Sequence, residues 1–477
     1  MSFASPLFLW YFMPAVLAAV LIAPRSWRNG VVATASLVFY AVGAGPTTVL
    51  LLACMVVNYL MGPALEPDDW DLEPQRRRRW LYGVVAFDVA VLVVWKYAGF
   101  ASAQAAGLAS FTGIALPVVE LALPIGISFY TFHHISYVVD VYRGERPALR
   151  DPVSFATYIA MFPQLVAGPI VRYREIADQL GQPRSNRLDD IAAGFPRFAL
   201  GLTKKVVIAD SLAPVVDACF TTPADQMTTA IAWLGAIGYT LQLYFDFSGY
   251  SDMAIGLGRM LGFRLPENFA RPYSSASITE FWRRWHMSLS RWFRDYLYIP
   301  LGGNRQGDRT TYRNLWIVFA LVGLWHGANW TFLLWGLYHG TVLVIERRCG
   351  WGVVAASSRR WLERRVLTLL IVMFGWVLFR SPNFGTALVF LQHMVILDFG
   401  GLTDVVDASL TNQRLAILLL SALVFLLPAR PITGPYLESA RSRSAAMLRV
   451  GVMTVGLFYS ALLVTTGTFS PFLYYRF

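Results

Sequence analysis

The residue with the clearest chemical potential is a histidine inside an apolar run. His326 stands in LVGLWHGANW, and Trp325 and Asn329 are candidates for the lining around it. An ionisable residue at membrane depth indicates a functional site. Loss of water disfavours the charged imidazolium, so we expect a neutral ring that can accept the proton of a hydroxyl. A hydrogen-bonded packing histidine is the competing interpretation, and residue type alone leaves both open.

A second histidine lies in an arginine-rich segment. Residues 277–297 read SITEFWRRWHMSLSRWFRDYL, and Ser277 with Glu280 matches a capping box that begins a helix. An amphipathic helix at the inner membrane interface is expected, either as a simple anchor or as the lining of a donor entry. His286 lies at its centre, where a lone histidine is more often structural. The candidates for binding donor phosphates are Arg283, Arg284, Arg291 and Arg294.

Two carboxylates and a tyrosine complete the candidates. Asp246 and Asp252 follow the apolar run 229–243 directly. They either orient a histidine and line a polar cavity, or lie at a cavity edge in contact with water. Tyr474, in PFLYYRF, suits an aromatic anchor at a membrane interface, but its hydroxyl is also chemically able to carry an acyl group transiently.

Other catalytic patterns are missing from the sequence. It contains neither a P-loop nor a GxSxG nucleophile elbow, and GLGRMLG lacks the preceding strand of a dinucleotide site. Cys54, Cys219 and Cys349 are far apart in sequence, and the adjacent His133 and His134 point in different directions on a helix. We therefore predict no metal site.

The elements that would position these residues are membrane helices. The chain is 56% hydrophobic and 14% charged, whereas soluble globular chains carry about 25% charged residues. Apolar runs near the spanning length predict roughly 10–12 spans, some of them tilted or re-entrant. The run 314–346 is long enough for two helices. The segment 158–171 contains two prolines and is expected to enter the membrane and return.

The charge distribution predicts an orientation. The net charge is +11, and arginines cluster after the first, third and fifth apolar runs, which marks those loops as cytoplasmic. This pattern favours a membrane protein over a nucleic-acid-binding one. The whole chain, 1–477, is predicted to form one domain. Within it, the polar segment 259–313 is expected on the cytoplasmic side and the tail 467–477 outside.

Several long motifs occur together and in order. They are PQLVAGPI, FRLPENFARPYSSASITEFWRRWHMSLSRWFRDYLYIPLGGNR, LWHGANWTFLLWGLYHG and FLYYRF. In this combination the sequence resembles the membrane-bound O-acyltransferase superfamily over nearly its whole length. Within that superfamily it is similar to the branch of bacterial alginate O-acetyltransferase subunit I. The resemblance implies an all-α integral membrane protein of the bacterial inner membrane, with a ring of tilted helices around a central tunnel.

The resemblance also implies roles for individual residues. The invariant histidine of the superfamily matches His326, and the histidine of its RRWH motif matches His286. The implied donor is acetyl-CoA, the acceptor an exported polysaccharide such as alginate, and the partner an extracytoplasmic SGNH-type transferase. No permanently bound cofactor is implied. A related branch transfers D-alanine to teichoic acids, and its proposed tail motif FxYxxF matches Phe472, Tyr474 and Phe477. Tyr474 is thus an acyl-relay candidate by resemblance only.

Three classes of function compete for these residues. In an acyltransferase, His326 would act as general base and His286 would assist by positioning or polarisation. A transporter would use the membrane histidine in gating, although the internal repeats common in transporters are missing from this sequence. A scaffold would only recruit a soluble transferase. The set of motifs favours the acyltransferase, with alginate O-acetylation first and D-alanyl or other acyl transfer to a cell-wall polymer as the alternative.

Overall fold

The described part of the chain is helical. A computed structural model contains no strand among the residues that it describes, and this confirms the predicted all-α class. The described residues are 2–67, 74–181, 187–352, 360–439, 442–467 and 472–473.

Two compact units share the chain. The first consists of Met1–Phe195 and Ala254–Pro266, and the second of Pro196–Met253 and Glu267–Phe477. All of the predicted site residues that the structure describes lie in the second unit. The expectation of one domain, with a ring of helices and a central tunnel, stays a prediction.

The helices are numbered here in chain order. The first eight are α1 (Met13–Ile22), α2 (Arg28–Ala44), α3 (Thr48–Ala64), α4 (Pro74–Ser110), α5 (Ile127–Tyr142), α6 (Pro152–Ala160), α7 (Phe162–Leu165) and α8 (Tyr173–Leu180). The next seven are α9 (Arg187–Thr203), α10 (Asp210–Phe220), α11 (Thr229–Met260), α12 (Ile278–Arg284), α13 (Met287–Phe293), α14 (Asp308–His326) and α15 (Trp330–Arg348). The last seven are α16 (Trp361–Arg380), α17 (Phe384–Val395), α18 (Asp404–Ser409), α19 (Asn412–Ala422), α20 (Thr433–Ser439), α21 (Arg443–Gly451) and α22 (Leu457–Thr465).

Among the described residues, three helical stretches are long and apolar enough to cross a membrane. They are Arg25–Ala64, Pro74–Ser110 and Arg443–Thr465, with mean hydropathies of 1.9, 1.8 and 1.8. Shorter apolar helices cover Phe8–Ile22 and Phe384–Val395, among others. The remaining apolar runs form helices that are not long and apolar enough for a span, and residues 117–124 are not helical. The number of 10–12 spans therefore stays a prediction, although the membrane class is supported.

The segment that was predicted to enter and return is irregular and buried. Helix α6 ends at Ala160, Met161 leaves the helical conformation, and α7 is a single turn. Every residue from Thr157 to Tyr173 is buried. The Tyr158 hydroxyl lies 2.8 Å from the Ser136 hydroxyl, within this interior. Such a backbone fits the rule that non-helical segments in membrane proteins are enclosed by other protein.

The run 314–346 forms the predicted pair of helices. Helix α14 ends at His326 and α15 begins at Trp330, and the two pack against each other along their length. Gly323 and Gly336 face one another at the crossing, since a Cβ atom on either would collide with a carbonyl oxygen of the other helix. This close backbone approach, which only glycine permits, fixes where the end of α14 lies.

The prediction of a single amphipathic helix over 277–297 is wrong. A helix does begin after Ser277, whose hydroxyl accepts the Glu280 amide at 3.0 Å, although the Glu280 carboxylate accepts the Ala276 amide and so does not complete the capping box. However, that helix stops at Arg284, and a second begins only at Met287. The large apolar residues of this segment do not lie at a surface, because most of them are buried in the protein: Trp282, Trp285, Leu289 and Trp292.

Candidate functional site

His326 lies at the last position of α14 and is enclosed by aromatic rings. Its side chain is 6% exposed. The ring centroids of Trp325, Trp335 and Phe379 lie 4.9, 5.1 and 5.1 Å from that of the imidazole, all with steep interplanar angles. Trp335 comes from α15 and Phe379 from α16, so three helices form this enclosure. The predicted apolar surroundings of His326 are thus present.

Trp325 brings the two predicted catalytic histidines into one cluster. Its ring contacts His326 at 4.9 Å and also His286 at 6.1 Å. His286 comes from the break between α12 and α13, forty residues earlier in the chain. Two histidines identified separately in the sequence therefore share one aromatic neighbour.

His286 adopts a strained backbone conformation. Its φ and ψ are 44° and 54°, in the left-handed region, where a residue with a Cβ pays about 1–2 kcal/mol in steric energy. Among the described residues, Arg271 is the other non-glycine with positive φ. The ring is 1% exposed and packs on Phe247 at 4.7 Å. Burial lowers the pKa of His286 to about 3, so the ring is neutral at physiological pH.

Asn268 holds His286 in place, and sequence reasoning did not identify it. Its Oδ1 lies 3.1 Å from Nδ1 of His286 and accepts both the backbone amide and the hydroxyl of Ser288, at 3.2 and 2.8 Å. Its Nδ2 donates to the Ser251 hydroxyl at 3.1 Å. Two prolines bracket the segment in the sequence, Pro266 and Pro272. They are a signal for a loop whose polar side chains bond locally.

Glu346 positions α12 and was also missed. Its carboxylate accepts the backbone amides of Ile278 and Thr279, at 2.6 and 2.9 Å, and the Thr279 hydroxyl at 2.8 Å. These are amides at the start of α12 that no helical bond satisfies. Glu346 therefore joins α15 to the helix that leads to His286.

His339 of α15 lies beside the cluster. It is completely buried, with ring contacts to Trp282 at 5.2 Å and Trp335 at 5.3 Å. The absence of a side chain at Gly375 makes room for its Nε2. Neither ring nitrogen has a hydrogen-bond partner among the described residues. Trp335 thus separates His326 from a second buried imidazole.

A cavity of about 490 Å³ opens next to this cluster. Arg283, Arg291 and Arg294 line it, so three of the four predicted donor-binding arginines face one space. Arg284 does not line it and forms an ion pair with Glu280 at 2.6 Å. Most of the remaining wall is apolar, with Leu289, Phe293, Leu315, Val318, Phe319, Val322 and Leu343. Val322 precedes His326 by one helical turn, although His326 itself is not a lining residue.

The predicted carboxylates form ion pairs and contact neither candidate histidine by a hydrogen bond. Asp252 accepts from Arg197 and Lys204, each at 2.6 Å. Asp246 accepts from Lys205 at 2.6 Å. Both aspartates are buried, at 2% and 5% exposure, rather than at a wet cavity edge. Their charges are compensated inside the protein, which is what burial of a carboxylate requires.

The last two candidates are Asn329, which follows His326 closely in the chain, and Tyr474. Asn329 caps the start of α15 by accepting the Thr331 amide at 3.1 Å, and its Nδ2 donates to the Pro382 carbonyl at 2.9 Å. Its side chain is therefore engaged in shaping the turn after His326. Tyr474 lies outside the described residues.

The two described residues before Tyr474 are anchored. Asp246 accepts the backbone amide of Leu473 at 3.1 Å. The ammonium of Lys205 lies 4.7 Å from the Phe472 ring centroid, and the Tyr250 ring packs on it edge-on at 4.4 Å. The chain just before the relay candidate is thus held in the second unit through the same ion pair that neutralises Asp246.

The chain is similar to known acyltransferases over most of its length. The profile of the membrane-bound O-acyltransferase family matches residues 143–386. The probable alginate O-acetylase of Azotobacter vinelandii is 44% identical over the full length of both chains. That of Pseudomonas aeruginosa is 45% identical over 89% of this chain and 80% of its own. A peptidoglycan O-acetyltransferase of Helicobacter pylori is 36% identical over 83% of this chain and 80% of its own.

Proposed function

The chain belongs to the membrane-bound O-acyltransferase family, and we propose that it passes an acetyl group from acetyl-CoA toward the hydroxyls of an exported polysaccharide such as alginate. That it is an acyltransferase with apolar membrane helices follows from the family and the fold. The donor, the acceptor, the bacterial inner membrane and an SGNH-type partner outside it are parts of the proposal. The relatives named as alginate O-acetylases support the choice of acceptor.

The main support for the proposed chemistry is the environment of His326. Its ring is buried among aromatic rings, and one of them, Trp325, also contacts the ring of His286. An imidazole without water around it favours its neutral form, and a neutral imidazole can take a proton from a hydroxyl. We assign His326 as the general base on this ground. His286 assists from the other contact of Trp325.

The donor is proposed to bind in the cavity lined by Arg283, Arg291 and Arg294. Guanidinium groups suit the phosphates of coenzyme A, because they donate several hydrogen bonds in a fixed plane. The apolar remainder of the wall suits the uncharged arm that carries the thioester. Val322, which lines the cavity, lies one turn before His326 in α14. In the proposed reaction the acyl group moves in this direction, from the cavity toward His326.

The reaction is a transfer from sulfur to oxygen. The acceptor hydroxyl loses its proton to His326 while its oxygen forms a bond to the acyl carbon of the thioester. The carbon–sulfur bond then breaks, and the proton held by His326 neutralises the departing thiolate. The products are an acetyl ester and free coenzyme A, and the imidazole returns to its neutral form.

Tyr474 is the proposed first acceptor within the chain. Two observations support this choice. The tail matches the motif FxYxxF, and Lys205, Asp246 and Tyr250 hold the two described residues just before Tyr474. A tyrosine ester formed there would pass its acetyl group to the partner transferase or to the sugar.

The proposal is tested by replacing His326 with alanine in cells that make the polysaccharide. We expect polymer acetylation to fall to background, by a factor of about 10²–10⁴ in rate, which is what a general base contributes. Protein level and membrane insertion should be unchanged. The matched control is His393→Ala, which removes a histidine that pairs with Asp398 at 2.7 Å and contacts none of the site residues described above.

Two outcomes would contradict the proposal. Normal acetylation by the His326→Ala protein would remove its catalytic role. Acetyl esters that appear on peptidoglycan while the exopolysaccharide stays unmodified would move the acceptor to the one named for the Helicobacter pylori relative. Ester analysis of both polymers from the same cells separates these cases.

A further inference from the structure

The amide of Asn268 has only one orientation that satisfies its neighbours. The atom facing Ser288 must be the oxygen, because it meets a backbone N–H, which cannot accept a hydrogen bond. The nitrogen must then face the Ser251 hydroxyl, as it does at 3.1 Å. Both Asn268 and Ser251 are buried, at 0% and 1% exposure, so exchange with water does not relax this arrangement.

The fixed amide determines which nitrogen of His286 carries the proton. An amide oxygen only accepts, so Nδ1 of His286, 3.1 Å away, must donate to it. The ring is neutral, and a neutral imidazole has a single N–H. Nε2 is therefore the nitrogen without a hydrogen, and its lone pair is an acceptor.

Two backbone hydrogen bonds hold the segment of Asn268 beside the segment of His286. The amide of Met287 donates to the Asn268 carbonyl at 2.9 Å, and the amide of Ala270 donates to the Arg284 carbonyl at 2.9 Å. These bonds cross the break in which His286 takes its left-handed conformation. Strained conformations of this kind persist where the surrounding structure enforces them, and they are concentrated at functional sites.

We propose that Asn268 is a positioning residue that keeps His286 protonated on Nδ1, so that His286 receives a hydrogen bond from a substrate hydroxyl and does not donate one to a thioester carbonyl. This inference rests on the proposed function, and it decides between the two assisting roles. Polarisation of a carbonyl requires an N–H aimed at the substrate, and Asn268 occupies the one N–H that the ring has. Orientation of the attacking hydroxyl requires a lone pair, which Nε2 supplies.

The tautomer is measured directly by nitrogen NMR. The full-length protein, labelled with ¹⁵N-histidine and embedded in lipid, gives distinct shifts for protonated and unprotonated ring nitrogens, and His286→Gln identifies which signals belong to His286. We expect the Nδ1–H form in the unaltered protein and in Asn268→Asp, whose carboxylate also accepts from Nδ1. Asn268→Leu should lose that form as the dominant one.

The control and the kinetic readout separate positioning from folding. Asn314→Leu removes another fully buried asparagine, whose amide donates to the Leu301 and Gly303 carbonyls and accepts from Arg313 instead of from a histidine. It should leave the His286 signals in place. Asn268→Leu should lower kcat by a factor on the order of 10² or more with little change in KM for acetyl-CoA, while Asn268→Asp restores much of the rate.

Failure of this inference and failure of the proposed function give different results. An Nε2–H ring in the unaltered protein, or an Nδ1–H ring that persists in Asn268→Leu, overturns the assignment of Asn268. Full activity of His286→Gln removes the role of His286 in catalysis, and with it the proposed use of the lone pair. Loss of activity in His326→Ala is independent of both measurements.

Discussion

Two clusters of buried polar residues in the second unit are built on opposite principles. Around Arg197 and Lys205, cations and carboxylates neutralise one another: Arg197 contacts Asp252, Glu267 and Glu438 at 2.6–3.0 Å. Around His326 and His286, the neighbours are aromatic rings and one amide. The first cluster joins segments that are far apart in sequence, and the second encloses two imidazoles among aromatic rings. We interpret the ion pairs as structural, and the role in catalysis that we propose is confined to the two histidines.

The largest loss of folding stability is expected at Arg197. In Arg197→Met three carboxylates lose a buried cation that is 2% exposed. Breaking a buried ion pair costs about 3–5 kcal/mol of folding free energy, so we expect a strong drop in the thermal midpoint of the purified protein.

The control for this change is Arg380→Met. Arg380 pairs with Asp217 at 2.6 Å, but the two side chains are 23% and 43% exposed. Such a pair contributes about 1 kcal/mol or less. Equal midpoints for the two variants would show that the Arg197 cluster is not the structural element that we describe. Activity per folded molecule should stay nearly normal in both.

A smaller effect is expected at the crossing of α14 and α15. In Gly323→Ala the new Cβ meets the Phe332 carbonyl oxygen, so the helices have to separate. Overpacking costs about 1–3 kcal/mol, and the end of α14 that carries His326 should shift. We expect a lower midpoint together with a lower rate per folded molecule.

Gly83→Ala is the matched control. Gly83 lies in the middle of α4, and its added Cβ meets open space. The substitution should be neutral or stabilising by up to about 1 kcal/mol, because alanine favours helix more than glycine does. A normal rate in Gly323→Ala would argue that the helix crossing does not position His326.

The smallest expected effect is a change of KM for acetyl-CoA in the arginine variants. It tests which arginines bind the donor. Arg283→Gln and Arg291→Gln remove charges from the cavity wall, whereas Arg284→Gln removes one that pairs with Glu280 outside it. Exposed ion pairs contribute about 1 kcal/mol or less. We therefore expect KM for acetyl-CoA to rise by up to about fivefold in the first two variants and to stay unchanged in the third. The same rise in all three would place the donor elsewhere.

Part of the fold and of the site was predictable because it depends on local pattern. The length of the apolar run 314–346 allowed two helices, and His326 stood out as an ionisable residue within that run. Ser277 and Glu280 correctly marked the start of α12. In these cases the residues that decide the structure lie within a few positions of each other.

Other features could not be predicted because their partners lie far away in sequence. The aromatic spacing of 282–292 is that of a continuous helix, yet bonds from Met287 to Asn268 and from Ala270 to Arg284 break it at His286. Asp246 and Asp252 are paired with cations that lie 41–55 residues earlier. A pattern within one segment does not contain that information.

The most direct test of acetyl transfer with His326 as general base follows the acetyl group itself. Purified protein in lipid vesicles receives labelled acetyl-CoA and a soluble oligosaccharide acceptor with its SGNH-type partner, and labelled ester is counted over time. We predict steady ester formation by the unaltered protein. His326→Gln should still bind the donor, as judged by competition, but should form ester only at the background rate. Ester formation by His326→Gln at the rate of the unaltered protein would contradict the account.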